Sequence, residues 1–116
     1  MLLRASGPTY DQTYDLAAVM GTPEGDGGVP EGDLLVAFAD AVLGDDDAWL
    51  ARARDALMTA LGPPGLVDAA GVVGLFNAID RVADATGIPL EPEKAAASAD
   101  FRAALDLDRF ALADRI

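Results

Sequence analysis

One stretch decides the fold: residues 63–76 read Pro-Pro-Gly-Leu-Val-Asp-Ala-Ala-Gly-Val-Val-Gly-Leu-Phe. Proline suits the first turn of a helix, where its missing N–H would have no intrahelical partner in any case. The residues from Ala69 to Phe76 carry no polar side chain, so this helix is apolar on every side and has to be enclosed. The helical pattern continues to about Thr86 and Gly87 is placed to end it, which predicts a helix roughly 34 Å long.

Helical patterns flank this stretch on both sides. We expect one helix from Asp33 to Gly44, a second over 45–61 that Gly62 closes, an alanine-rich helix after Glu91 and a short tail helix within 106–116. A short helix over 10–20 precedes a loop, 21–32, that holds five Gly and two Pro. The alternation typical of strands is absent from the sequence. It therefore predicts an all-α fold, a small bundle of about four to six helices, with a short helix and Gly/Pro-rich linker in 1–32 and a helical domain in 33–116.

Small residues recur along the apolar helix. Ala70, Gly74 and Ala78 follow one another at a spacing of four, and Gly71 lies beside them. A glycine inside a helix costs about 1 kcal/mol relative to alanine, and close approach of a second helix compensates for that cost. We therefore predict that these four residues and Phe76 form a helix-packing surface or interface. The sequence leaves open whether the neighbouring helix belongs to the same chain or to a second subunit.

Polar side chains gather toward the end of the same helix, at Asn77, Asp80, Arg81 and Asp84. Arg81 lies three residues before Asp84 and is placed to pair with it or with a neighbouring helix, so we interpret the four as a structural polar cluster. The alternative is catalytic: two buried carboxyl groups one turn apart, Asp80 and Asp84, supply one acid and one base.

Composition excludes most familiar chemistry. The chain has 116 residues, no Cys and no His, which removes thiolate nucleophiles, the usual general base and the commonest metal ligands. We predict no catalytic residue, cofactor or metal; the three aspartates 45–47 are typical of a helix start. A net charge of −12 argues against nucleic acid and anionic membranes as partners. Because no stretch approaches the roughly 20 apolar residues of a membrane span, we expect a cytoplasmic protein.

A family resemblance lies in Phe76-Asn77-x-x-Asp80-Arg81-x-Ala83-Asp84-x-x-Gly87. This segment resembles the late helix of alkylhydroperoxidase D-like (AhpD-like) proteins, the carboxymuconolactone decarboxylase superfamily, where relatives commonly have Phe-Asn-x-x-Asn-Arg-x-Ala-Asp. Residues 33–61 are similar to the helix pair that precedes it there, so the resemblance covers 33–91. It implies an AhpD-like helical scaffold and a homo-oligomer, with a dimer favoured.

The chain departs from that family at its chemistry. Antioxidant members use a Cys-x-x-Cys assisted by Glu and His, and a chain without Cys or His carries none of those thiols or imidazoles. The leading hypothesis is therefore a non-catalytic interaction or oligomerisation protein on an AhpD-like scaffold, with a second copy or a related subunit as partner. One alternative is a split redox or detoxification enzyme whose thiol-bearing helices lie on another chain. The other is an enzyme or small-molecule binder that uses carboxylates.

Overall fold

The computed structural model describes residues 7–20 and 25–110. Every regular element in these segments is helical, which confirms the all-α class. The described residues form three α-helices, where four to six were predicted: α1 (Gly32–Leu43), α2 (Asp47–Thr86) and α3 (Pro92–Ala104). Short 3-10 turns lie at Gly7–Tyr10, Leu16–Met20 and Leu107–Phe110. The part of the predicted linker at 21–24 and the part of the predicted tail helix at 111–116 lie outside the described residues.

Helix α2 is bent at Gly62, as the sequence predicts. Gly62 has φ 71° and ψ −179°, a backbone conformation outside the helical region, and it separates an N-terminal arm, 47–61, from a C-terminal arm, 63–86. The proline at 63 disfavours a helical conformation at the residue before it, which places the break at the glycine. The C-terminal arm ends at Gly87, in the left-handed conformation with φ 65°, and the Gly87 N–H donates to the Ala83 carbonyl oxygen.

The start of α2 is fixed by a side-chain cap. A carboxylate oxygen of Asp46 accepts a hydrogen bond from the Trp49 N–H at 2.9 Å, which satisfies one of the backbone donors left free in a first helical turn. We expect Asp46→Ala to lower the free energy of unfolding by about 1 kcal/mol in urea titrations. Asp45→Ala removes an equal charge next to it without removing the cap, and the cap has no such role if the two variants lose equal stability.

The core is small and lies where α1 packs against both arms of α2. Its buried residues are Phe38 and Ala41 from α1 and Ala53 and Leu57 from the N-terminal arm. Partly buried apolar residues surround them, and the C-terminal arm contributes three of these, Leu66, Ala69 and Val73. No residue of the C-terminal arm beyond Val73 packs against this core.

The N-terminal segment differs from its prediction. The expected helix over 10–20 is interrupted, because Asp11 has a positive φ of 51° and the Asp15 carboxylate accepts the Ala17 N–H at 2.9 Å, a local turn that competes with helix. The described part of the Gly-rich loop folds onto this segment, with the Asp15 N–H donating to the Gly27 carbonyl oxygen at 2.9 Å. At Gly28, φ is 83° and an added Cβ would overlap the Thr13 carbonyl oxygen, so glycine is required at that turn.

Helix α3 packs against the turn that follows it. Arg102 donates to the Ser98 hydroxyl and to the Ala95 carbonyl oxygen, both at 3.0 Å, and forms an ion pair with Asp108. Neither α3 nor the end of the C-terminal arm of α2 packs against the core, so the chain is extended. Its radius of gyration is 15.7 Å, compared with about 13 Å for a compact domain of this length.

Candidate interaction surface

The C-terminal arm of α2 exposes its large apolar side chains. Five of them are between 52% and 60% exposed, which is the opposite of what hydrophobic burial favours: Val72, Leu75, Phe76, Ile79 and Val82. The sequence predicts that this helix has to be enclosed, and within its own chain it is enclosed on one side only, through Leu66, Ala69 and Val73. The other side of the arm is an apolar surface without a neighbour in the described residues.

The predicted ridge of small residues lies at one edge of this surface. Ala70, Gly71, Gly74 and Ala78 are all exposed, and so is Phe76. A Cβ added at Gly71 or Gly74 would meet no atom within 4 Å, so no helix of the described chain approaches these glycines. Of the two neighbours that the sequence left open, the packing partner within the same chain is therefore absent from the described structure.

The predicted polar cluster lies on the back of the arm. Asn77 is half-buried, while Asp80, Arg81 and Asp84 are exposed. The structure gives Arg81 no ion pair with a residue in the described segments, so the predicted pairing with Asp84 is not formed there. Neither Asp80 nor Asp84 lines either of the two apolar grooves of the arm.

Two apolar grooves run along the exposed arm. The larger, about 490 Å³, lies between α1 and the C-terminal arm, and Asp68 is the one charged residue among those that line it. The smaller, about 310 Å³, lies where the chain turns at Ile88, and its lining is wholly aliphatic. The described residues hold no group of three or more carboxylates placed to bind a metal ion, and the aspartates at 45–47 supply the Asp46 cap instead. These grooves suit apolar contact rather than acid–base chemistry.

Four of the exposed large side chains have a regular spacing that differs from that of the small-residue ridge. Val72, Leu75, Ile79 and Val82 are separated by three, four and three residues. This is the spacing of the a and d positions of a heptad repeat, which form the seam of a coiled coil. The surface predicted from the sequence comprised Phe76 and small residues at a spacing of four, and it did not include these four large residues.

The length and hydropathy of α2 exceed what we expected. An 18-residue window within Asp47–Thr86 has a mean hydropathy of 1.4, and 6% of that window is buried within the chain. Among the described residues, this one helix is therefore long and apolar enough to cross a membrane by length and composition alone, whereas we expected no stretch close to a membrane span.

The comparisons with known proteins give no relative. No protein-family model, curated protein or solved structure matches this chain.

Proposed function

We propose that this chain is a non-catalytic helical interaction module that associates with itself through the exposed face of the α2 C-terminal arm. The observation that supports the proposal is the exposure of five large apolar side chains on one helix, since monomeric soluble proteins rarely leave a contiguous apolar patch of that kind uncovered. The absence of Cys and His from the sequence is consistent with a role in association rather than catalysis.

The surface area of the chain supports the same proposal. Its accessible surface is 8454 Å², whereas a folded monomer of this mass exposes roughly 5,900 Å². The excess is larger than the roughly 800 Å² that each partner contributes to a standard protein interface.

The carboxylate alternative receives less support. An acid–base pair of aspartates depends on burial to separate the roles of its two members. Asp80 and Asp84 are both exposed to solvent and neither lines a described groove, so the arrangement offers no enclosed site between them.

For the scaffold we propose an AhpD-like origin, on the resemblance of residues 33–91. The order of elements is compatible with it: a helix pair, α1 and the N-terminal arm, precedes the arm that carries Phe76-Asn77 and Asp80-Arg81. On this proposal the chain keeps the helices of the scaffold and has lost its thiol chemistry, which leaves association as its function.

The oligomeric state tests the proposed function. We expect the purified chain at micromolar concentration to have twice its 11.9 kDa mass by light scattering after size exclusion, because the exposed arm becomes buried in a dimer. A stable monomer throughout that range contradicts the proposal. Isolation of the chain from its native source with a different, thiol-bearing protein and without copies of itself would support the split-enzyme alternative instead.

A further inference from the structure

Four exposed large side chains of the C-terminal arm have the a and d spacing of two successive heptads. With Val72 at an a position, Leu75 is at d, Ile79 at the next a and Val82 at the next d. We call these four residues the seam. Each is more than half exposed, and none belongs to the chain's own core. Of the arm's three contacts with the core, Leu66 and Val73 fall at b positions and Ala69 at an e position, so the face that packs on the core adjoins the seam on its e side.

Asp68 occupies the d position just before the seam, and the charged residues that follow lie off the seam. Between residues 71 and 86 they are Asp80, Arg81 and Asp84, at the b, c and f positions that face away from a coiled-coil partner. The e and g positions beside the seam hold no charge: Phe76 and Ala83 at e, and Gly71, Ala78 and Ala85 at g. The apolar surface is therefore broader than the four seam residues, and the charged residues lie behind it, with Asp80 beyond its e side and Arg81 beyond its g side.

This pattern of charge favours a protein partner over lipid. Because the backbone at Gly62 is not helical, a straight membrane span has to lie within residues 63–86, and about 20 residues there would carry Asp68, Asp80 and Arg81 into hydrocarbon, where charged side chains are strongly disfavoured. A helical partner covers one face and leaves the charged back in water.

We infer that the seam pairs with the seam of a second copy of this chain, as an antiparallel two-stranded coiled coil. The inference rests on the proposed self-association and specifies its geometry. A second copy fits because an apolar a/d seam is complementary to another seam of the same spacing, and because the accessible surface of the chain exceeds that of a compact monomer by more than one partner contributes to a standard interface.

Charge sets the direction of the pairing. Asp68 occupies the d position before Val72, so a parallel dimer places it opposite Asp68 of the second copy. An antiparallel dimer pairs a with d: Leu75 meets Ile79 of the second copy, and Asp68 meets Thr86. Residues 31–61 contain seven acidic residues and two arginines, and they fold beside the start of the arm. The antiparallel arrangement places these acidic halves at opposite ends, separated by more than a Debye length of about 8 Å.

A charge at the seam tests the interface. We expect Leu75→Glu to raise the dimer dissociation constant at least about 100-fold, as measured by sedimentation equilibrium. The dimer loses the burial of two leucine side chains, one from each copy, and would have to bury two carboxylates in their place. The matched control is Gly74→Glu, which adds the same charge one residue away, on the small-residue ridge, and we expect its dissociation constant to stay within about threefold of the parent. Circular dichroism should report folded helices in both, because neither position contacts the core.

The outcomes separate the two proposals. A parent chain that is monomeric contradicts the proposed function itself, and co-flotation of that monomer with phosphatidylcholine vesicles would assign the surface to lipid. A parent dimer that persists in Leu75→Glu and dissociates in Gly74→Glu keeps the proposed function and overturns the seam in favour of the ridge.

Disulfide exchange tests whether the two arms pair parallel or antiparallel. Because the sequence has no cysteine, each disulfide formed joins introduced residues only. The variants Leu75→Cys and Ile79→Cys, one of them ¹⁵N-labelled, are mixed in a glutathione redox buffer and the cross-linked products are weighed by mass spectrometry. An antiparallel seam predicts that the mixed 75–79 disulfide exceeds its statistical half of the products. Predominance of the two like-with-like disulfides would overturn the antiparallel arrangement, while Asp84→Cys on the back of the arm should cross-link poorly in either case.

Discussion

Replacement of Leu57 by alanine is expected to lower the free energy of unfolding by about 3–4 kcal/mol. Leu57 is the one large side chain in the described residues with no exposed surface, and it joins α1 to α2 through Phe38, Ala41 and Ala53. With so few buried neighbours, the cavity left by the leucine cannot be filled by the rest of the core. This loss is a large part of the roughly 5–15 kcal/mol that holds a typical domain together.

Urea unfolding followed by circular dichroism measures the effect. At about 2 kcal/mol per molar, the midpoint should fall by nearly 2 M. The matched control is Leu61→Ala, the same change one turn later at a side chain that is 39% exposed, and it should cost less than half as much. Equal losses in the two variants would mean that the core does not centre on Leu57. Protein concentration must be the same throughout, because association adds to apparent stability.

Much of the fold could be predicted because local signals decide it. Gly62 followed by two prolines ends one helix and starts the next, whatever the rest of the chain does, and Gly87 ends the C-terminal arm in the same local way. The helix expected over 10–20 failed because hydrophobic spacing shows neither of the contacts that interrupt it. One is the local turn in which the Asp15 carboxylate accepts the Ala17 N–H, and the other is the hydrogen bond from the Asp15 N–H to Gly27, twelve residues away.

The surface was harder to predict than the fold. Composition indicated that residues 69–76 are apolar on every side, which is true of the sequence but does not say which side the chain covers. That depends on where α1 packs, and α1 lies against Leu66, Ala69 and Val73. Only with those three assigned to the core does the spacing of the remaining large residues appear as a heptad. The polar cluster shows the same limit, since helical spacing placed Arg81 near Asp84 but exposed side chains have little reason to pair.

Replacement of Gly62 by alanine is expected to destabilise the chain by about 1–3 kcal/mol, because the combination of positive φ and extended ψ is nearly exclusive to glycine. The loss comes from backbone conformation and not from crowding, since an added Cβ would approach only the Pro64 Cδ, at 3.9 Å.

The control for that change is Gly74→Ala. Gly74 lies inside the same helix with open space around its Cβ position and without a positive φ, so alanine there should stabilise by about 0.5–1 kcal/mol. The two substitutions are chemically identical and are expected to shift the urea midpoint in opposite directions. If Gly62→Ala is neutral or stabilising, the bend is not set by the glycine backbone. In that case the two arms of α2 would be held in place by their contacts with α1 alone, and the exposure of the C-terminal arm would depend on that packing rather than on the break between the arms.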